Sequence, residues 1–263
     1  MDKAKQEKLG DELYQALTTQ STLTPFTERE ADITIDDAYY ISLSMVSRRV
    51  EAGEKIIGKK IGVTSKVVQD MLGVHQPDFG FLTDKMEYAN GADIPVAGNL
   101  IAPRAEAEIG FKLKKDLSGP GVTEQDVLDA TDYIMPCFEI VDSRIKDWKI
   151  KIQDTISDNA SSGLFVLGGT AVGVDEVDLG VCGMVLEKNG EIVATGAGAA
   201  ALGSSPVSCV VWLANMLGSL GITLRAGEVI LSGSLVPLVP AQAGDHLRVE
   251  VGGIGSASVR FEE

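Results

Sequence analysis

The chain has 263 residues and is 44% hydrophobic, so it can bury a full core without disulfides. Its formal charge of −15 arises from 38 acidic and 23 basic residues, and this charge would repel nucleic-acid phosphates and anionic membrane surfaces. The composition therefore argues against nucleic-acid and membrane partners. Any carboxylate ligand would have to meet a locally positive group.

The first residues and the cysteines indicate where the protein works. Residues 1–8 are charged where a signal peptide needs an apolar stretch, and no apolar run in the chain approaches the length of a membrane span. Cys137, Cys182 and Cys209 form an odd, widely spaced set without a C-x-x-C pair, so neither a disulfide framework nor a zinc site is expected. We therefore expect a cytoplasmic protein with reduced, buried thiols.

The opening third of the chain predicts mostly helices. Leu9, Leu13 and Leu17 recur every four residues, as on one face of a helix. Thr34 and Asp37 form a capping-box pair that predicts the start of a second helix.

A strand-like run over residues 56–63 follows these two helices. It precedes a short predicted helix from residue 64 or 65 to residue 72, which Gly73 ends.

Short strands dominate from residue 99 onward. Asn189-Gly190 predicts a tight hairpin, and Pro206 predicts the first turn of a helix that packs across the sheet. The remaining segments predicted as strands are 101–113, 133–141, 164–172 and 229–232. The pattern favours an α+β fold, in which we expect a helical N-terminal region over 1–80 that contributes to the site and a β-rich metal-binding catalytic region over 81–263.

Two glutamates lie two residues apart on one predicted strand. Because strand side chains alternate, Glu106 and Glu108 should point to the same face. On its own, this spacing is more typical of the solvated face of an edge strand than of a functional site.

Glu139 lies within the apolar run over residues 133–141. An unpaired buried carboxylate is costly, so Glu139 should be protonated, ion-paired with Arg144 or Lys112, or bound to a metal. Together with Glu106 and Glu108 it would suit a hard cation such as Mg²⁺ or Mn²⁺, which prefers about six oxygen ligands.

Two further residues are candidates for catalysis. Of the adjacent Lys59 and Lys60, one should point inward, where desolvation and a nearby cation would lower its pKa into a range useful for acid-base chemistry. The alternative is that both lysines extend to solvent. Asp78 lies in a turn-rich loop, where loop capping is the commoner role.

Turns elsewhere offer groups that a substrate carboxylate could bind. Ser161 and Ser234 lie in turns that present hydroxyl and backbone N–H groups. We predict that both contact the substrate, together with Gly73, although such segments are more often simple turns.

These segments together resemble the fumarylacetoacetate-hydrolase superfamily, and within it the branch of 2-hydroxypenta-2,4-dienoate hydratases. The resemblance covers nearly the whole chain, and it depends on the order and number of short motifs rather than on any one of them. The motifs lie at residues 58–65 (GKKIGVTS), 76–80 (QPDFG), 103–108 (PRAEAE), 138–144 (FEIVDSR), 158–161 (DNAS) and 254–256 (IGS).

The resemblance implies a β-rich, mixed-sheet core of the β-roll type and a metal held by Glu106, Glu108 and Glu139. It implies that the dienol is first ketonised and that water then adds at C4, giving 4-hydroxy-2-oxopentanoate. Lys60 matches the acid-base lysine of the family, and Asp78 the residue that orients or deprotonates the added water. A ring-like homo-oligomer is also implied.

The resemblance leaves other readings open. The sister 4-oxalocrotonate decarboxylases share the metal site and most of these motifs, but they tend to have an apolar residue at the position of Asp78. Ala107 is a departure from the hydratase pattern, because the hydratases often have glycine at this position. The protein could also be a catalytically silent partner of such an enzyme, but the presence of Lys60 and the three glutamates argues against this alternative. The resemblance also implies association with the decarboxylase. Hydrolysis of an acylpyruvate would need a histidine-containing segment that is not evident.

Overall fold

The computed structural model describes residues 1–66, 69–70 and 73–263. The predicted helix over residues 64–72 therefore lies partly outside the described residues. The described helices are α1 (Lys3–Thr19), α2 (Phe26–Arg29), α3 (Ile35–Glu51), α4 (Glu124–Ala130), α5 (Ile152–Ser157) and α6 (Pro206–Ser219). None of them has the length and hydropathy needed to cross a bilayer.

The helical predictions for the first fifty residues are confirmed. Helix α1 buries Leu9 and Leu13 against α3. At the start of α3, Thr34 Oγ1 accepts from the Asp37 N–H while the Asp37 carboxylate accepts from the Thr34 N–H, as the capping-box pair predicts. Helix α6 begins at Pro206 as expected and packs against α4 and β1 (Ile56–Gly62).

The larger sheet contains eight strands in the described part of the chain. Its order is β2-β1-β10-β5-β6-β7-β3, with β11 paired to β5. Besides β1, its strands are β2 (Asp78–Thr83), β3 (Glu87–Tyr88), β5 (Arg104–Leu113), β6 (Thr131–Val141), β7 (Ser162–Leu167), β10 (Val229–Leu231) and β11 (Val239–Pro240). Parallel and antiparallel pairs both occur, so the sheet is mixed.

A second sheet packs against β6 of the larger one. Five strands of the described residues form it, in the order β4-β13-β12-β8-β9. They are β4 (Asp93–Pro95), β8 (Gly183–Lys188), β9 (Glu191–Ala197), β12 (His246–Val251) and β13 (Gly255–Glu262). The predicted hairpin at Asn189-Gly190 connects β8 to β9, and both of its turn residues have positive φ.

Two strands depart most from their predicted bounds. Strand β5 begins at Arg104 rather than at residue 101, since residue 103 is a proline with no N–H to donate. Strand β7 spans Ser162–Leu167, so it ends five residues before the predicted end at residue 172.

Mixed sheets with packed helices make this an α+β fold, as predicted. The boundary predicted at residue 80 falls inside β2, so the larger sheet takes strands from both predicted regions.

Candidate active site

Three carboxylates meet on one face of the β5–β6 pair. Glu106 and Glu108 alternate on β5 as predicted, and the antiparallel register places Glu139 of β6 directly opposite Glu106. Side chains at directly opposed positions have Cβ atoms about 5 Å apart. The strand register, which the sequence does not reveal, therefore brings the three predicted ligands together.

The geometry of these carboxylates fits a divalent cation. One carboxylate oxygen from each glutamate can be chosen so that all three atoms lie within 4.8 Å of one another. Glu108 and Glu139 are fully buried, and Glu106 is half-buried. Glu108 Oε2 accepts from the Gly233 N–H at 2.7 Å, but its buried Oε1 has no hydrogen-bond partner among the described residues. Such an orphaned oxygen suits a metal ligand.

The electrostatics of the cluster also favour a bound cation. Burial raises the pKa of Glu139 to about 8, and the Glu106 carboxylate adds to the rise while Lys60 opposes it. The pKa of Glu108 is raised well above its usual range by burial and by its two carboxylate neighbours. Like charges on opposed strands destabilise a sheet, so a cation bound between these carboxylates would stabilise the folded protein.

Lys60 lies inside the cluster, with its Nζ 3.2 Å from Glu139 Oε2. Its pKa is raised, whereas the sequence analysis expected it to be lowered. Burial does lower the pKa of Lys60, but the carboxylates of Glu139, Glu106 and Asp78 outweigh it. That expectation assumed desolvation and a nearby cation, whereas the groups that surround the Lys60 ammonium are four carboxylates. In this arrangement Lys60 holds its proton.

Asp78 lies beside Lys60 because of a glycine on the neighbouring strand. Gly62 pairs with Asp78 across β1 and β2, and a Cβ on Gly62 would lie 2.2 Å from Asp78 Oδ1 and 3.1 Å from Lys60 Nζ. Burial raises the pKa of Asp78, while the Lys60 ammonium opposes that rise. Asp78 Oδ1 accepts no hydrogen bond from a described residue, so its lone pairs are available to a ligand or water.

These side chains open into a cleft with two lobes. The first lobe, a cavity of about 330 Å³, is lined by Lys60, Asp78, Glu106 and Ser161 among others. The second, of about 290 Å³, is lined by Ser234 together with Glu106, which borders both lobes.

The three predicted substrate contacts differ in where they lie. Ser161 lines the first lobe together with Glu106, and the Ser161 Oγ lies 3.2 Å from Thr155 Oγ1. The Ser234 hydroxyl donates to the Val236 carbonyl at 2.7 Å, in the second lobe. Gly73 is exposed and lines neither lobe.

A left-handed turn forms one wall of the first lobe. Asn159, Ala160 and Ser161 all have φ between 51° and 54°, a conformation that costs non-glycine residues about 1–3 kcal/mol each. The fully buried Arg144 holds this turn, because its guanidinium pairs with Asp158 and donates to the Asp158 and Ser162 carbonyls. Arg144 is therefore the partner of Asp158 and not of Glu139, the ion pair considered from the sequence.

A second buried ion pair between a lysine and a glutamate was not predicted from the sequence. Lys59, like Lys60, is only 2% exposed, and its ammonium bonds to both oxygens of Glu228 on the opposite face of β1. One lysine was expected inward, with both extended to solvent as the alternative, and the structure instead buries both. A glutamate just before an apolar run at residue 229 was the signal available in the sequence.

Arg104 and Trp148 also line the first lobe and were not predicted. Arg104 lies two residues before Glu106 on the same face of β5, so the alternation that identified the glutamates could have identified it. No pattern in the sequence indicates Trp148, which reaches the cleft from an irregular segment after β6.

Comparison with known proteins gives relatives over the whole length of the chain. Residues 59–262 match the family model described as fumarylacetoacetate (FAA) hydrolase C-terminal. A 2-hydroxypent-2,4-dienoate hydratase of Pseudomonas putida is 65% identical over 222 residues, which are 84% of this chain and 100% of that protein. A 2-hydroxyhexa-2,4-dienoate hydratase of Comamonas testosteroni is 57% identical, covering 100% of this chain and 99% of that protein.

Solved structures agree with this assignment. The 4-oxalocrotonate decarboxylase from Pseudomonas putida G7, complexed with magnesium and adipate, superposes with a TM-score of 0.95 at 37% identity and covers 99% of this chain and 98% of that one. The β-roll-type core expected from the motifs is thus confirmed. By its sequence match and its fold, the chain belongs to the fumarylacetoacetate hydrolase family.

Proposed function

We propose that the protein is a hydro-lyase that adds water to 2-hydroxypenta-2,4-dienoate and releases 4-hydroxy-2-oxopentanoate. The observation that carries the proposal is the convergence of the three glutamates around Lys60, next to a cleft that Glu106, Lys60 and Asp78 line. Relatives with 65% and 57% identity bear the names of dienoate hydratases, which supports this reaction class.

Glu106, Glu108 and Glu139 would hold the divalent cation, for which Mg²⁺ and Mn²⁺ are the candidates. All three offer oxygen, the donor that both ions prefer. The related decarboxylase was solved with magnesium. A bound cation would supply electrostatic stabilisation of negative charge on the 2-oxygen of the acid.

Lys60 and Asp78 divide the proton transfers in this proposal. Lys60, which holds its proton among the carboxylates, can deliver it to C5 as the 2-hydroxyl of the dienol gives up its own proton and a 2-oxo acid forms. Asp78 has an unpaired oxygen beside Lys60 and can orient and deprotonate the water whose oxygen adds at C4, and the proton that it takes can then pass to C3. The net reaction consumes one water molecule and no redox partner.

Decarboxylation of 4-oxalocrotonate is the second candidate, and the TM-score of 0.95 to such an enzyme favours it. The two reactions place different demands on Asp78. Hydration needs a group that activates water, whereas loss of carbon dioxide does not. The buried, unpaired carboxylate of Asp78 favours hydration.

The test is to incubate the purified protein with each acid, with and without Mg²⁺ or Mn²⁺, while following diene absorbance and product mass. Hydration predicts that the mass of one water is added to the dienoate only when metal is present. Loss of carbon dioxide from 4-oxalocrotonate, with no change in the dienoate, would support the decarboxylase. A silent structural partner would change neither compound.

Assembly follows as a separate part of the proposal. We infer a homo-oligomer that also associates with a 4-oxalocrotonate decarboxylase, since the related decarboxylase shares this fold at 37% identity. Residues 1–80 would supply Lys60 and Asp78, and residues 81–263 the metal ligands. Light scattering of the protein alone and mixed with the decarboxylase tests the association, and a monomer that stays separate in the mixture would refute it.

A further inference from the structure

The first lobe of the cleft contains a cation that the proposed chemistry does not use. Arg104 lines this lobe together with Lys60, and these two are the cations among its described lining residues. Lys60 is paired with Glu139. No carboxylate of the described residues lies within 4.0 Å of the Arg104 guanidinium, whose recorded contact is with an aromatic ring.

The ring is that of Trp148, and the Arg104 guanidinium lies over the face of this ring. The Arg104 Cζ lies 4.3 Å from the Trp148 ring centroid. The guanidinium N–H groups donate to no described residue, so they are available for hydrogen bonds to a ligand. Arg104 is thereby positioned without its donors being consumed.

The Trp148 ring is itself held in an unusual position. Its indole N–H donates to the Ala102 carbonyl at 2.9 Å, which ties the ring to the segment just before Arg104. Asp147 and Trp148 have φ of 58° and 54°, a left-handed conformation that is rare for a bulky residue. Backbone strain of this kind persists only where surrounding contacts impose it, and it clusters at ligand sites.

The net charge of the site indicates a role for Arg104 in binding an anionic substrate. Four carboxylates, those of Asp78, Glu106, Glu108 and Glu139, surround the Lys60 ammonium, so the site stays anionic by about one charge even with a divalent cation bound. The chain as a whole, with these groups included, has a formal charge of −15. An anionic substrate needs a further positive group at the site, and Arg104 lies on the same strand face as Glu106.

We propose that Arg104, held by Trp148, binds the carboxylate of the 2-oxo acid and is the residue that selects anionic substrates. This inference rests on the proposed function. A planar guanidinium can donate two parallel N–H bonds to a carboxylate, which gives specificity as well as affinity. Arg104 thus acts in binding rather than in proton transfer.

The experiment compares Arg104→Gln with Arg248→Gln, a control on β12 in which the arginine lies in the second sheet and pairs with Glu187 and Glu250. Calorimetry would measure the binding of pyruvate to each Mg²⁺-loaded protein, and kinetics would give kcat and KM for the dienoate. We expect Arg104→Gln to weaken pyruvate binding and raise KM by roughly 10- to 100-fold, the usual effect of losing a charge-assisted bond, with a smaller change in kcat. Arg248→Gln should match the wild type.

Two more variants separate recognition from structure. Arg104→Lys keeps the charge but not the paired donors, so it should recover only part of the affinity. Trp148→Leu should also weaken pyruvate binding. The melting temperatures of Arg104→Lys and Trp148→Leu should equal that of the wild type.

Pyruvate affinity that is equal in Arg104→Gln and wild type, or that is absent from the wild type, overturns the assignment of Arg104. A wild-type protein that binds pyruvate through Arg104 but leaves the dienoate unhydrated contradicts the proposed function alone.

Discussion

Glu139 shows how strongly a single residue can constrain the function of this chain. It is fully buried, it faces Glu106 across paired strands, and its pKa is raised to about 8 by burial first and by Glu106 next. Lys60 offsets only one of the charges in the cluster. A structure that needed stability alone would place an apolar residue here, so the carboxylate argues for ligand binding.

Replacement of one of the three proposed metal ligands should greatly reduce turnover without unfolding the protein. Glu106→Gln keeps the size of the side chain but removes its charge, and Glu106 is the half-buried member of the set. Mutation of residues that only hydrogen-bond to metal ligands usually lowers metal affinity or activity by about 10- to 100-fold. For the ligand itself we therefore expect a loss of about 100-fold or more in metal-dependent kcat/KM. Glu250→Gln on the exposed side of β12 is the control. Near wild-type rates for Glu106→Gln would remove this residue from the site.

Asp78→Asn should separate the two halves of the reaction. The amide keeps the shape that Gly62 accommodates but is a poor base. We expect solvent deuterium still to enter the carbon skeleton during ketonisation, while the rate of water addition falls by about 10²- to 10⁴-fold. Nuclear magnetic resonance of the product mixture measures both. An equal loss of both steps would show that Asp78 has no special role toward water.

For single residues, the sequence indicated which side chains form the site but not which charged groups surround each of them. Glu106, Glu108 and Glu139 could be chosen because alternation and an apolar run can be read directly from the residues. The pKa direction of Lys60 could not, since it depends on four carboxylates that come from three strands. Arg104 was missed although it shares the alternation of the glutamates.

Among the elements, the left-handed turn after α5 depends most on one side chain. Arg144 pairs with Asp158, and both are almost completely buried. Burial raises the pKa of Asp158 to about 6, and the Arg144 guanidinium opposes that rise. This ion pair lies directly behind the turn that carries Ser161 into the cleft.

Arg144→Met should therefore destabilise the protein by about 3–5 kcal/mol, because it leaves the Asp158 carboxylate buried without a partner. Urea unfolding measures the change. The double variant Arg144→Met with Asp158→Asn should lose less than the sum of the two single variants, since no uncompensated charge remains. Strictly additive losses would contradict the pairing.

Element types were predictable and element contacts were not. Helices α1, α3 and α6 follow from spacing, a capping box and a proline at the first turn. The register of β5 with β6 involves residues about thirty positions apart, and no local signal encodes it. The turn at residues 159–161 has no glycine to reveal its left-handed backbone.

The curvature of the larger sheet is the property of the whole molecule that makes the site. Three strand spacings, about 14 Å in a flat sheet, separate β1 from β6, yet Lys60 on β1 lies 3.2 Å from Glu139 on β6. The two extended side chains cover part of that span, and a curled sheet shortens the remainder. Such curvature comes from the packing of the entire chain, and it is the part of the site that no single motif could predict.

Metal binding should stabilise the folded protein as a whole. An ion that binds only the folded state adds about 2.7 kcal/mol when its concentration is a hundred times its dissociation constant. We expect Mg²⁺ and Mn²⁺ to raise the melting temperature of the wild type and to leave that of Glu106→Gln less changed. Scanning calorimetry with and without a chelator measures this, and an equal rise in both proteins would place the stabilising ion elsewhere.

The central claim is that Glu106, Glu108 and Glu139 share one divalent ion at the base of the cleft. Anomalous diffraction from crystals grown with Mn²⁺ tests it most directly. The account predicts one strong peak within about 2.0–2.6 Å of an oxygen from each of the three glutamates. A strong peak at another place in the molecule, with these oxygens uncoordinated, would contradict it.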